Sequence, residues 1–68
     1  MEDEWVVIAR YGDDIKCQIA IDQLHNSEIE AVAVDKRDWN YRFGDIELYV
    51  HRDNVIAAMD IIKDLRGD

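Results

Sequence analysis

The chain has 68 residues, which fits one small domain and excludes a catalytic domain joined to a regulatory one. Apolar residues make up 49% of the chain, too many for a disordered tail, and a formal net charge of −8 disfavours nucleic-acid and anionic-membrane partners. The one cysteine excludes an internal disulfide, no apolar run reaches the roughly 20 residues that span a bilayer, and the acidic N-terminus lacks the basic start of a secretory signal. We therefore expect a soluble cytoplasmic protein.

The first half of the chain predicts a strand, a helix and a second strand. Residues 4–11 form an apolar, β-branched run in which both faces are largely apolar, so alternation leaves open which face meets the core. Asp13 or Asp14 can cap a helix that runs to about residue 26, where Asn26 tolerates the left-handed conformation that ends helices. Residues 29–35 predict the second strand. The helix carries one apolar stripe, made of Cys17, Ala20, Ile21 and Leu24.

The second half predicts one more strand and one more helix. Residues 36–44 form a connection, and residues 45–50 alternate as a third strand. A second helix begins near Asp53, which can cap it, and ends at Gly67. Its apolar stripe consists of Val55, Ala58, Met59, Ile62 and Leu65.

The element order β-α-β-β-α predicts an α+β fold. A strand–helix–strand crossover leaves its two strands parallel, and the third strand most simply inserts between them, antiparallel to both. The expected product is a two-layer, ferredoxin-like sandwich without its last strand. It has a three-stranded sheet of order 1-3-2 and two helices on one face. We expect one domain over residues 1–68, ordered from about 4 to 66, with no layer on the other face.

Few side chains suit catalysis or metal binding. Ser27 is the only serine and belongs to a polar turn, while Cys17 on the inward stripe is expected to behave as a small apolar residue. His25 and His51 lack metal-ligand spacing, and the chain has no glycine-rich phosphate loop. We predict no catalytic residue, no metal, no cofactor and no enzymatic activity.

The connection between the second and third strands is basic and aromatic. Residues 36–43 carry a net charge of +2 in a chain of net charge −8. Aromatic rings with arginine are typical of recognition hot spots. The alternative is structural, because the rings can fold over the uncovered sheet face near Trp5 and Tyr49. The candidate binding residues are Arg37, Trp39, Tyr41, Arg42 and Phe43.

A second candidate surface lies on the first helix. Ile15 and Ile19 are four residues apart and fall off the apolar stripe. Exposed isoleucines at this spacing can form an interface with a partner or a second copy. The alternative is that Ile15 packs at the helix end and Ile19 is an isolated surface residue.

Features spread over about residues 5–65 match the pattern of a known family. They are Asp14, Cys17 and Leu24 in the first helix, residues 29–31, the strand pattern of residues 44–50, then Asp53, Asn54, Ala58, Ile61 and Ile62. On these features the chain resembles the DUF2007 family of prokaryotic signal-transducing proteins. The resemblance implies a ferredoxin-like or GlnB-like sandwich, an activity not established, and no catalytic residues. The middle connection is more aromatic and basic than the family pattern, and no zinc ribbon is present to imply a metal.

These observations predict a non-enzymatic binding or regulatory module. Its partner is expected to be a protein or a small anionic ligand, and a homodimer can form by pairing of first-strand edges. The alternative is a small-molecule sensor or enzyme with its site at a subunit interface, where Arg37, Arg42 and His51 converge.

Overall fold

A computed structural model describes residues 4–36 and 46–65 of the chain. Within these residues the first strand, β1, spans Trp5–Tyr11, and the first helix, α1, spans Asp14–Asn26. Strand β2 (Ala31–Asp35) and strand β3 (Ile46–His51) follow, and a 3-10 turn at Arg52–Asn54 leads into helix α2 (Val55–Ile61).

The sheet confirms the predicted topology. Its strand order is β1-β3-β2, and β3 pairs antiparallel with both neighbours. Both helices pack on one face of the sheet, so the fold is a two-layer α+β sandwich of the ferredoxin-like type. Because β3 is the central strand, neighbouring strands cover its side chains from both sides, and it carries more buried residues than β1 or β2.

The core lies between the sheet and the two helices. The apolar stripe of α1 is confirmed, with Cys17, Ala20 and Leu24 buried and Ile21 half-buried. Helix α2 contributes Ala58 to the core, and Ile62, directly after the helix, is buried beside it. The sheet contributes alternate β3 residues and two residues of β1, and Ile29 joins them from the turn before β2. The buried members are Ile8, Tyr11, Ile29, Ile46, Leu48 and Val50.

A β-bulge in β1 decides which of its side chains enter the core. Val7 lies opposite Tyr49 and Ala9 lies opposite Leu48, so Ile8 is an extra residue in this ladder. Strict alternation from Trp5 would place Tyr11 on the face opposite Ile8, but the bulge reverses that placement. Tyr11 is buried with Ile8 in the core.

Helix α1 ends in a left-handed residue, and that residue is Glu28 (φ 63°) rather than the expected Asn26. The Ile29 N–H donates to the Leu24 carbonyl at 2.9 Å, and the Glu28 N–H donates to the His25 carbonyl at 2.9 Å. This pair of bonds is a Schellman motif, in which glycine is the usual left-handed residue. Burial of Ile29 against the core explains why the motif forms two residues later than predicted.

Glu28→Gly is expected to raise the free energy of unfolding by about 1 kcal/mol, since glycine adopts a positive φ without the steric cost of a Cβ. Urea denaturation followed by tryptophan fluorescence measures the change. Glu28→Ala is the matched control, because it removes the same charge but keeps the Cβ. Equal stabilisation by both variants would assign the effect to charge instead of backbone conformation.

Element bounds differ from prediction at several ends. β2 begins at Ala31 rather than at residue 29, because Ile29 belongs to the helix-ending motif. Asp53 does not cap α2: it lies in the 3-10 turn, where its own N–H donates to His51 Nδ1 at 3.1 Å. The regular part of α2 ends at Ile61, well before Gly67. Of the two predicted caps of α1, Asp13 and Asp14, the structure has Asp13, whose Oδ1 accepts from the Lys16 N–H at 2.9 Å.

Candidate functional site

The sheet face that points away from the helices brings charged and aromatic side chains together. The register places Arg10 beside Glu47, and Val34 beside Glu47 on the other side. Lys36 follows the end of β2 by one residue and continues its alternation onto the same face. Residues from three separate stretches of sequence therefore meet around the middle strand.

Glu47 is the centre of this arrangement. Its Oε1 lies 2.9 Å from Lys36 Nζ and accepts a hydrogen bond from the Tyr49 hydroxyl at 2.8 Å. Its Oε2 accepts from Arg10 Nε at 3.2 Å. We call Arg10, Lys36, Glu47 and Tyr49 the Glu47 cluster. One carboxylate thus joins all three strands through two cations and a phenol.

The contacts shift the pKa values of three groups in the cluster, and each shift favours the protonation state that the group has at neutral pH. The hydrogen bond from Lys36 lowers the pKa of Glu47, with further help from Tyr49 and Arg10, against the opposing effect of burial. The same carboxylate raises the pKa of Lys36 through that hydrogen bond. Glu47 also raises the pKa of Tyr49 by accepting its hydroxyl hydrogen. All three groups therefore keep their neutral-pH charge states over a wider pH range.

The side chains of the Glu47 cluster differ in their exposure to solvent. The side chain of Glu47 is 13% exposed, whereas that of Arg10 is 62% exposed. Tyr49 is only 9% exposed, so the centre of this face is not open to water. Two cations and one carboxylate leave a net charge of +1. Of the Arg10 guanidinium, only Nε is bonded within the described residues, so its terminal nitrogens suit a carboxylate or phosphate.

An aromatic pair lies at the other end of the same face. The Trp5 and His51 rings are 6.1 Å apart and inclined by 79°, an edge-to-face contact. His51 Nδ1 accepts the Asp53 N–H at 3.1 Å, closer than the 3.5 Å to the Asp53 carboxylate. The Asp53 N–H is therefore the nearer partner of Nδ1, and this hydrogen bond lies at the start of the 3-10 turn.

The sequence-predicted site residues have different outcomes. Arg37, Trp39, Tyr41, Arg42 and Phe43 lie outside the described residues, and their role in binding stays a prediction. Their neighbour Lys36 is part of the Glu47 cluster.

Ile15 and Ile19 are exposed on α1, so Ile15 does not pack at the helix end. Their exposure agrees with a position off the apolar stripe. Their role as an interface stays a prediction.

Sequence reasoning missed Arg10 and Glu47 as members of a site. The available signal was the single cation of the first apolar strand and a carboxylate among the apolar residues of the third. Pairing them requires the register of β1 on β3, and the bulge at Ile8 shifts that register by one residue.

Cys17 is buried in the core, and burial, followed by the charges of Asp14, Asp13 and Asp35, raises the pKa of its thiol. This favours the apolar role over that of a nucleophile. We expect the thiol of the folded chain to react with a thiol-specific disulfide reagent at pH 8 at least about tenfold more slowly than the chain in 8 M urea. A stopped-flow absorbance trace measures both rates. Equal rates would contradict the buried position.

No family model, curated protein or solved structure matches the chain. The resemblance to the DUF2007 family therefore stays a prediction. Within residues 4–36 and 46–65, no helix combines the length and apolar character needed to cross a bilayer. The same residues contain no group of three or more histidine, cysteine or acidic side chains placed to hold a metal ion.

Proposed function

We propose that this chain is a small non-enzymatic binding or regulatory module of the cytoplasm, of a signal-transducing kind, that recognises an anionic group on its sheet face. The observation that carries the proposal is the Glu47 cluster. A carboxylate that is 13% exposed holds two cations at the surface, one of them the largely exposed Arg10. The buried anion fixes the cations in place and the exposed guanidinium meets the ligand.

The charge distribution supports an anionic partner. The chain as a whole has a net charge of −8, so an anion is repelled from most of its surface. The cluster has a net charge of +1, and Lys36 begins the basic segment of residues 36–43. A carboxylate or phosphate on a protein or on a small molecule is therefore the class of ligand that fits.

Titration with inorganic phosphate, citrate and a phosphoserine peptide, followed by 15N NMR, tests the proposal. We expect millimolar or tighter binding of at least one ligand, with the largest shifts at Arg10 and Glu47. Arg10→Gln should weaken binding about tenfold, which corresponds to the loss of one charge-assisted hydrogen bond. Trp39→Ala and Arg42→Ala test the neighbouring segment in the same titration.

Lys63→Gln is the matched control, because it also removes one cation. Lys63 lies after α2 and its contact with Asp60 spans 3.9 Å between exposed side chains. If binding weakens equally in Arg10→Gln and Lys63→Gln, only the net charge of the chain matters, and the proposed site is wrong. Absence of binding to every ligand would overturn the proposed function.

A further inference from the structure

Strand β2 is an edge of the sheet. It pairs with β3 on one side, and no described residue forms a strand on its other side. An edge strand offers backbone N–H and C=O groups in the pattern that another strand needs. Its side chains are small to medium, with the sequence Ala-Val-Ala-Val-Asp. The other edge, β1, is interrupted by the bulge at Ile8, which makes it a poorer template.

Two cavities lie side by side between this edge and helix α1. The larger has a volume of about 510 Å³ and is lined by Ile21, His25, Glu28, Ile29, Glu30 and Ala31. The smaller has a volume of about 190 Å³ and includes Cys17, Gln18, Ile21 and Ala33. Ile21 lines both, so the cavities are neighbours along one depression. We call this depression the α1–β2 groove.

The spacing of the cavities matches an added strand. Ala31 lines the larger cavity and Ala33 lines the smaller one. Residues two apart on a strand lie about 6.6 Å apart and point to the same face. Alternate side chains of a strand paired with β2 have the same repeat. Because both β2 residues are alanines, the volume beside them is left for the side chains of the incoming segment.

We propose that the α1–β2 groove binds an extended segment of a partner protein by strand addition to β2. Apolar side chains at alternate positions of that segment enter the two cavities, and its backbone pairs with the β2 edge. Glu28 and Glu30 are exposed beside the larger cavity. The segment is therefore expected to carry Lys or Arg next to its apolar residues.

The groove does not suit a second copy of this chain. A second β2 would present Ala31 and Ala33 toward the helical side, and methyl groups cannot fill a cavity of about 510 Å³. Each copy also carries a net charge of −8. An apolar and basic segment complements the groove in both volume and charge.

Selection from a displayed library of random dodecapeptides against the purified chain tests this proposal. Enriched peptides are expected to have apolar residues at alternate positions and flanking Lys or Arg. Their binding should slow amide hydrogen exchange at residues 31–35. Ala33→Trp, which fills the smaller cavity, and Glu30→Lys should each weaken the binding at least tenfold, with folding of each variant checked by circular dichroism.

Ala57→Trp and Asp64→Lys are the matched controls, because both residues are exposed at α2 or after it. They are expected to leave peptide binding unchanged. Selected peptides that bind Ala33→Trp as well as the parent chain, or a selection without the alternating pattern, would overturn the proposal. Arg10→Gln should bind these peptides normally, so failure here is distinct from failure of the anion site.

Discussion

Leu48→Ala is expected to lower the free energy of unfolding by about 3 kcal/mol, because it removes a fully buried side chain from the central strand. Leu48 lies opposite Ala9 on β1 and Ala33 on β2. Neither alanine can expand into the vacated space, so most of the cavity should persist. A domain of this size is stable by roughly 3 to 10 kcal/mol, and the substitution removes a large part of that.

Urea denaturation with circular dichroism at 222 nm measures the change. Ile56→Ala is the matched control, since Ile56 is an aliphatic residue that is 87% exposed on α2. It is expected to change stability by less than about 0.5 kcal/mol. Similar losses in the two variants would contradict the placement of the core between the sheet and the helices.

Glu47→Gln is expected to lower the free energy of unfolding by about 1 to 2 kcal/mol, since it removes the charge that partners two cations at a mostly buried position. Glutamine keeps the size of the side chain, so little of the loss comes from packing. Asp60→Asn is the control, because the contact of Asp60 with Lys63 spans 3.9 Å at the surface. An exposed pair of this kind contributes about 0 to 1 kcal/mol.

The pH dependence of the free energy of unfolding should also report the contacts of Glu47. The Lys36 hydrogen bond lowers the pKa of Glu47 in the folded chain. Its stabilisation is complete well above the unfolded carboxyl pKa of about 4.3 and is lost as the pH falls through the lower folded value. The free energy of unfolding should therefore fall less steeply with decreasing pH in Glu47→Gln than in the parent chain. An acid limb of unchanged slope would contradict the contact.

The alkaline limb has the opposite origin. The pKa values of Lys36 and Tyr49 are both raised in the folded chain, chiefly by their hydrogen bonds to Glu47. Their stabilising contribution is present below the unfolded pKa values, about 10 for both groups, and is lost as the pH rises through the folded values. The same stability measurements, extended above pH 10, report this loss, and Glu47→Gln should reduce it.

The architecture was predictable because local patterns agreed with one another. The stripe from Cys17 to Leu24 identified the buried side of α1. The crossover leaves β1 and β2 parallel, and the simplest place for β3 is between them, where the sheet has it. The details that failed were local backbone choices. Glu28 has the left-handed conformation because burial of Ile29 outweighs the preference for asparagine or glycine at that position.

The site was less predictable than the fold, because its members come from three strands. Lys36 belongs to the basic segment that the sequence singles out, whereas its partner Glu47 is one residue within the third strand. Which residues meet across a sheet depends on register, and register here depends on one bulge. The predicted binding residues from Arg37 to Phe43 lie outside the described residues and are tested only by the substitutions proposed above.

The extra residue at Ile8 makes the length of β1 as important as its composition. If the strand kept all its residues but formed no bulge, Ile8 would lie opposite Leu48, so that Arg10 would lie opposite Ile46 on the helical side while Tyr11 turned outward. The ionic contact to Glu47 and the burial of Tyr11 would be lost together. A single-residue insertion between Ala9 and Arg10 should therefore be far less tolerated than a substitution at either position, whereas deletion of Ile8 keeps Arg10 opposite Glu47.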